Sequence, residues 1–301
     1  MISIIIPAYN EKLNIKITIM DIIEVLLKYP GNNNYEIIVI DDNSSDATYK
    51  EVMSLNNDVI NCIRLSRNSG SHIAMRAGLE YAKGEVVVCI FADGQEDSSI
   101  LPEMLNKWKN GNHIVWGKRR SRDEPIINKV LALLFYKILN ILTNKDNNEI
   151  DHSKADFFLI DRKVVDAINI FKEKNTSLFG LISWLGYKQD SVEYDRKKRR
   201  SGKSKWNYLS SLNLAIDWIT AFSGMPLKLM SLIGITIIII GILSSLFVDG
   251  TIVIILILSG FQIIMFGIMG EYLWRNLDES RKRPLYFIEK STYDDNVDKY
   301  I

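Results

Sequence analysis

The sequence predicts an α/β fold: a mixed, mostly parallel sheet with helices on both faces, followed by a C-terminal two-helix transmembrane hairpin. Three observations predict it. Apolar, β-branched runs alternate with helical periodicity through the first part of the chain, the rhythm of strands joined by crossover helices. One such run, Val86–Phe91, breaks abruptly into Ala92-Asp-Gly-Gln-Glu-Asp97. Ligands of open α/β sheets bind just past the carboxyl ends of strands, so this break marks a candidate site. Finally, the uncharged segments 229–248 and 251–270 each have the length needed to cross a ~30 Å hydrocarbon core.

Residues 2–6 form a first buried strand that Pro7 ends, and residues 12–28 carry helical periodicity. Tyr35–Ile40 is a second strand. It runs into Asp41-Asp-Asn-Ser-Ser-Asp46, a turn dense in residues that cap helices and bond their own backbone. A helix follows to about Ser54. Asn61–Leu65 is a third strand, Ser66–Gly70 a polar loop, and 71–83 a helix. The fourth strand is the opening run, 85–91. Residues 100–109 are helical, and His113–Trp116 is a strand ending in Gly117-Lys-Arg-Arg120. Residues 126–142 form a helix with little polar surface, suited to the core or to a membrane interface. Asp156–Ile160 is another strand. The segment Arg196–Trp206 is strongly basic, and 207–222 is a second amphipathic helix.

Net charge is +1, so nothing in the balance draws the chain to nucleic acid. Cys62 and Cys89 fall in predicted strands and read as buried free thiols of a reducing compartment. His72, His113 and His152 lack metal-ligand spacing. No Gly-x-Gly-x-x-Gly follows the first strand, which disfavours a dinucleotide fold of that type. No signal-peptide pattern is read at the start. Lys228 precedes the first apolar segment, and Arg275, Arg281, Lys282 and Arg283 follow the second. The positive-inside rule then places the N-terminal domain and a basic tail, 275–301, in the cytosol, with two spans in 226–274 and a juxtamembrane helix at 206–225. Gly234, Gly241, Gly260 and Gly267 would allow close helix packing in a homo-oligomer.

The polar loops together carry a resemblance. Ile5-Ile-Pro-Ala-Tyr-Asn-Glu11, Ile38-Val-Ile-Asp-Asp-Asn-Ser-Ser-Asp46, Leu65-Ser-Arg-Asn-Ser-Gly70, Ala92-Asp-Gly-Gln95 and Gly117-Lys-Arg119 resemble the serial motifs of family 2 glycosyltransferases of GT-A fold. Asp156-Phe, Leu159-Ile-Asp-Arg162, Arg199 with Gly202-Lys-Ser-Lys-Trp206, and Gly270-Glu-Tyr-Leu-Trp-Arg275 extend it. The nearer likeness is to polyisoprenyl-phosphate glycosyltransferases, the group of dolichol-phosphate mannose synthase and bacterial undecaprenyl-phosphate glucosyltransferases.

The resemblance implies an inverting transfer of sugar from a nucleotide diphosphate sugar, UDP-linked first, to a polyprenyl phosphate at a membrane face. Pro7, Tyr9, Asn10, Glu11 and Arg67 would edge the nucleotide pocket. Asp41 or Asp42 would accept from the base imide, and the other could cap the next helix. Asp93 with Gln95 would hold Mg²⁺ or Mn²⁺ against the diphosphate, as oxygen donors suit. Lys118, Arg119, Arg196, Arg199, Ser204 and Lys205 would face phosphates. Asp156 matches the family's candidate base. A lipid phosphate carries about −1.5 to −2 charges at neutral pH and needs little proton removal, so an orienting role suits Asp156 better. Phe91 stands where many relatives carry the first Asp of Asp-x-Asp, and Phe158 where relatives often carry Arg. Two other readings are a polysaccharide synthase, against which the absent Gln-x-x-Arg-Trp speaks, and a non-catalytic nucleotide-sugar-binding scaffold.

Overall fold

The computed structural model describes residues 1–29, 34–120, 155–171, 173, 177–197, 236 and 250–293. The apolar runs become strands where expected: β1 (Ile2–Ala8), β2 (Tyr35–Asp41), β3 (Ile60–Leu65), β4 (Val86–Cys89), β5 (Ile114–Arg119) and β6 (Ala155–Asp161). Between them lie α1 (Ile15–Lys28), α2 (Thr48–Met53), α3 (Ser71–Tyr81) and α4 (Leu101–Lys109). Four further elements are α5 (Arg162–Ile170), α6 (Leu178–Trp184), β7 (Gln189–Tyr194) and the terminal β8 (Ile288–Ser291), which follows the long helix α7 (Thr251–Ser280).

Among the described residues the sheet has eight strands in the order β7-β5-β6-β4-β1-β2-β3-β8. β1 pairs parallel with β2 and β4, and β2 with β3. β6 runs antiparallel between β4 and β5, and β8 closes the far edge antiparallel to β3. Successive strand residues supply opposite faces. Ile4, Ile6, Ile37, Val39, Val88 and Leu159 pack with Ile15, Ile19, Ile22 and Leu26 of α1 and Met104 and Leu105 of α4. Ile5, Ile38, Ile40, Ile63, Val87 and Ile160 pack on the other face with Ala74, Ala77 and Leu79 of α3 and Val164 and Ile168 of α5. Each of the Ile, Leu, Val and Met side chains, fully removed from water, contributes about 1.5–3 kcal/mol. Cys62 and Cys89 are buried free thiols.

Contacts divide the chain into two units. The first comprises Met1–Val130, Asn147–Lys205 and Pro284–Ile301; the second comprises Leu131–Asp146 and Trp206–Arg283. The expectation of two transmembrane spans is corrected here. Among the described residues, no helix is long and apolar enough to cross a membrane. The sequence of α7, 30 residues long, turns polar in its last third, from Glu271 through Arg275 to Asp278 and Glu279. The two-span localisation falls with this, and a bilayer partner has no support among the described residues. The expected segment 229–248, apart from Thr236, lies outside the described residues, as do the helices expected at 126–142 and 207–222. The expected basic tail is also revised, since β8 makes part of it an edge strand of the sheet.

His72 stands at the start of α3. Its Nδ1 accepts the Leu178 N–H at 3.2 Å, and its ring meets Phe179 edge-on. Burial pushes this imidazole down to about 4. A protonated Nδ1 would lose that contact and set positive charge at the amino end of α6, where it is disfavoured. The folded state therefore takes up fewer protons than the unfolded one between these pKa values. Stability is full above about 6.5 and falls by about 1–3 kcal/mol as pH drops toward 4. Denaturant unfolding across that range should show the decline, and His72→Gln should flatten it.

Candidate functional site

The register places the polar loops on one edge. Ala8 stands opposite Asp41, Asp41 opposite Arg64, and Ile5 opposite Cys89. The loops that follow β1, β2, β3 and β4 therefore leave the same side of the sheet. β6 runs the other way, so Asp156, its second residue, begins at this edge, one residue after the Ala155–Lys118 pair. Lys118 and Arg119 finish β5 there, half-buried. Gly117, just before them, lies over the Phe157 ring, where an added Cβ would come within 2.4 Å. The Gly-Lys-Arg order is thus set by packing as well as by charge.

The first three loops are bound to one another. Asn10 has a left-handed backbone, φ 55°. Its Oδ1 accepts the N–H groups of Ser45 at 2.8 Å and Asp46 at 3.3 Å, and its own N–H donates to Ser44 Oγ at 2.9 Å. Glu11 is buried and turned toward α1, where its Oε2 accepts Asn14 Nδ2 at 2.6 Å. Pro7 is buried within β1, and Tyr9 is half-buried beside Asn10. Asp41 is 0 % exposed. Its Oδ1 accepts the Ser44 N–H at 3.1 Å, and its Oδ2 is paired with the Arg64 guanidinium. Asp42 joins two loops: its N–H donates to Ala8 O at 2.9 Å, while its carboxylate accepts the N–H groups of Ser69 at 2.7 Å and Gly70 at 2.8 Å. Burial, with Asp41 adjacent, outweighs those two amides and holds the Asp42 carboxyl above the ordinary carboxylate value. Arg67 is exposed on the loop that Asp42 ties down.

Neither Asp41 nor Asp42 meets the start of α2. The carboxylate that does so is that of Asp46, which accepts the Thr48 N–H at 2.9 Å and the Lys12 N–H at 3.3 Å. Burial raises the Asp46 carboxyl, but these hydrogen bonds and Lys12 prevail and keep it low.

The acidic turn is built separately. Thr18 Oγ1 of α1 donates to Ala92 O at 3.0 Å, Gly94 takes φ 69°, and Asp93 Oδ1 accepts the Gln95 N–H at 3.1 Å. The chain leaving β7 crosses this turn. The Lys197 N–H donates to Gln95 O at 2.9 Å, Arg196 Nη2 to Gln95 Oε1 at 2.9 Å, and Lys197 Nζ to Asp97 Oδ1 at 3.1 Å. Burial works to raise the Asp97 carboxyl, but Ser99 and Lys197 outweigh it and hold it below the ordinary value. Among the described residues no group of three or more His, Cys, Asp or Glu is arranged to hold a metal. One carboxylate and one amide oxygen still fit Mg²⁺ or a similar ion, which commonly takes one or two protein oxygens and completes its shell with substrate phosphate and water.

Phe91 is packed against the core, and Phe158 is buried against Trp116 and Phe179, at centroid separations of 5.9 and 5.3 Å. Arg199, Ser204 and Lys205 lie outside the described residues, and nothing is described of the Asp156 side chain. Sequence reasoning missed Arg64, and marked Asp46 and Lys197 only as members of the capping turn and the basic segment. A charged residue in the short apolar run Asn61–Leu65 was the available signal for Arg64, since an arginine on a buried strand needs a partner.

Residues 3–168 match the family described as Glycosyl transferase family 2. The chain belongs to that family. Glycosyltransferase YkcC of Bacillus subtilis is 39 % identical over 306 residues, covering 96 % of this chain and 93 % of that one. The prophage bactoprenol glucosyl transferase homolog of Escherichia coli K12 is 32 % identical, covering 96 % of this chain and 98 % of that one. The glucosyl-3-phosphoglycerate synthase of Mycobacterium tuberculosis, crystallised with Mg²⁺ and UDP, shares the fold at a TM-score of 0.51 and 17 % identity, covering 73 % of this chain and 76 % of that one. The chain is a glycosyltransferase, and its GT-A sheet is the part the solved structures share.

Asn10 tests how much of the loop-to-loop contact is held by one side chain. Asn10→Ala should cost about 1–3 kcal/mol, through the lost amide contacts and the positive φ. Asn10→Gly should cost about 1 kcal/mol less, because glycine carries no penalty there. Equal denaturant midpoints for the two would show that the left-handed backbone contributes nothing.

Proposed function

We propose that this glycosyltransferase moves a hexosyl group from a nucleoside diphosphate sugar, UDP-glucose or UDP-N-acetylhexosamine, to a polyprenyl phosphate, with inversion at the anomeric carbon. One observation carries the donor half: the Asp93–Asp97 turn and the cations Lys118, Arg119 and Arg196 share one sheet edge with the linked loops of Tyr9–Glu11, Asp41–Asp46 and Ser66–Gly70. The acceptor half is supported by the relatives named bactoprenol glucosyl transferases, which match along nearly their whole length. The structural ground expected for a lipid acceptor, a two-span anchor, gives no support. The lipid acceptor therefore rests on relationship alone.

In this reading the base lies between the Tyr9–Glu11 and Ser66–Gly70 loops. Asp42, which joins them and keeps 3 % exposure, is the candidate imide acceptor, and the fully buried Asp41 supports it from beneath. Asp93 and Gln95 would hold a divalent ion, which when bound neutralises the departing diphosphate as a Lewis acid. Lys118 and Arg119 face the same phosphates. Arg196, with Arg199, Ser204 and Lys205, supplies cations and hydrogen bonds for the acceptor phosphate. An acceptor phosphate oxygen attacks the anomeric carbon while the bond to the diphosphate oxygen breaks, and the electron pair leaves on the diphosphate. A phosphate of about −1.5 to −2 charges needs no strong base, so Asp156 orients the acceptor rather than taking its proton.

Purified chain should be offered a panel of labelled nucleotide sugars with detergent-dispersed undecaprenyl phosphate. Label should pass into butanol-extractable lipid, with the anomeric configuration opposite to the donor's. Loss of an electrostatic contact to the leaving group typically costs 10²–10³-fold, so Asp93→Ala should lower the rate by about that factor. Asp156→Asn should cost far less at neutral pH. Retained configuration ends the direct-displacement scheme. Growing glycan chains would favour a polysaccharide synthase, and donor binding without transfer a scaffold.

A further inference from the structure

The chain reaches β8 only after the whole of the second unit, yet β8 touches the network beneath the nucleotide loops. One guanidinium makes the link. Arg64 Nη1 pairs with Asp41, Nη2 donates to Ser44 O at 3.1 Å, and Nε donates to Glu289 Oε2 at 2.9 Å. It thus joins the end of β2, the turn after it, and a strand 225 residues later. The ring of Tyr49 lies 5.9 Å from the same guanidinium.

The pairing of β8 with β3 is irregular at this point alone. Arg64 stands opposite Lys290 and Leu65 opposite Ile288, so Glu289 is the extra residue of a bulge. Bulges re-aim one side chain and gather beside active sites. Here the bulge turns Glu289 onto Arg64. The Asp41 carboxylate is wholly buried, so its charge depends on Arg64 staying in place. Arg64 is itself held from the open side by Glu289, and both carboxylates raise the guanidinium's proton affinity against the effect of burial.

We propose that Arg64 and Glu289 are positioning residues of the donor pocket, which makes β8 a working part of the nucleotide site. Glu289 orients Arg64, Arg64 fixes Asp41 and the Ser44 carbonyl, and the Asp41–Asp46 turn keeps the shape the base requires. This rests on the nucleotide-sugar reading of the edge.

The full-length chain serves for the test. Glu289 is 40 % exposed, so its removal leaves no core cavity. Two readouts are taken: hydrogen exchange at the Ser44 amide without ligand, and UDP affinity by calorimetry. Loss of a charge-assisted hydrogen bond corresponds to about a tenfold change, so Glu289→Ala should speed Ser44 exchange and weaken UDP binding by about that factor. Glu289→Gln keeps an acceptor and should recover most of both. The control is Thr292→Ala. Thr292 Oγ1 accepts the Cys62 N–H at 2.9 Å, which docks β8 without touching Arg64, so this variant should leave both readouts unchanged. Unchanged Ser44 exchange in Glu289→Ala overturns the proposal. So does an equal effect of Thr292→Ala, since strand docking would then account for everything. A wild-type chain that binds no nucleoside diphosphate overturns the donor reading instead, and is told apart by Ser44 exchange that still responds to Glu289→Ala.

Discussion

Parallel pairing is the constraint on which this structure depends. β1 to β4 all run one way, so every loop after them opens at one edge. Their register needs a separate explanation. A strand buried on both faces is apolar on both, and hydrophobic pattern then fails to tell one register from the next. Polar groups at the strand ends supply the missing information. At the far end Ser3 Oγ donates to Glu36 Oε1 at 2.6 Å, and Ser3 and Glu36 are register partners. At the site end the Asp42 N–H meets Ala8 O, and Asp41 meets Arg64, its own register partner on β3. A slip of one residue would break all of these contacts and leave buried charges unpaired, a cost of several kcal/mol. The same residues that shape the pocket therefore also align the sheet.

The site edge is rich in charge, yet many of its polar groups are already engaged by protein. Asn10 caps the turn after β2, Asp42 holds the loop after β3, and Asn43 Nδ2 donates to Leu65 O at 3.1 Å. Asn10 and Asn43 both take left-handed backbone, which asparagine tolerates better than other side chains. Strain of this kind, of order 1–3 kcal/mol per residue, persists only where surrounding contacts over-determine it. Here those contacts run between loops rather than within them. Hydrogen bonds tie the three loops after β1, β2 and β3 to one another, so a ligand that met them would impose little ordering cost on binding.

How much of this was legible in the sequence follows from burial. β1 to β4 were readable because runs such as Ile2–Ile6 and Val86–Cys89 have no polar face to confuse with a helix. β7 and β8 were not. Gln189–Tyr194 is mostly polar with only Val192 and Tyr194 buried, and Ile288–Ser291 is four residues long with Glu289 and Lys290 at its centre. Edge strands are short and charged by necessity, which hides them from pattern reading. The shared site edge was readable from strand order. The division of labour among its acids was not, because Asp41, Asp42 and Asp46 differ only in what lies beneath them. The transmembrane expectation rested on uncharged length and flanking charge, and among the described residues no helix is long and apolar enough to cross a membrane.

The acidic turn Asp93–Asp97 is held in place by the basic chain that leaves β7. Phe91, at the position of the expected first acid, is half-buried and packed against the core. Arg196 and Lys197 lie across the turn, one on Gln95 and one on Asp97. Two adjacent carboxylates repel each other and need a bound cation to stay together. Here Lys197 balances Asp97, and Arg196 is engaged on Gln95. The turn can then hold its shape before any ion arrives. The Gln95 side-chain oxygen accepts from Arg196, and its backbone carbonyl accepts the Lys197 N–H. Arg196 and Lys197 thus hold the turn from the β7 side, one at each end of its polar stretch.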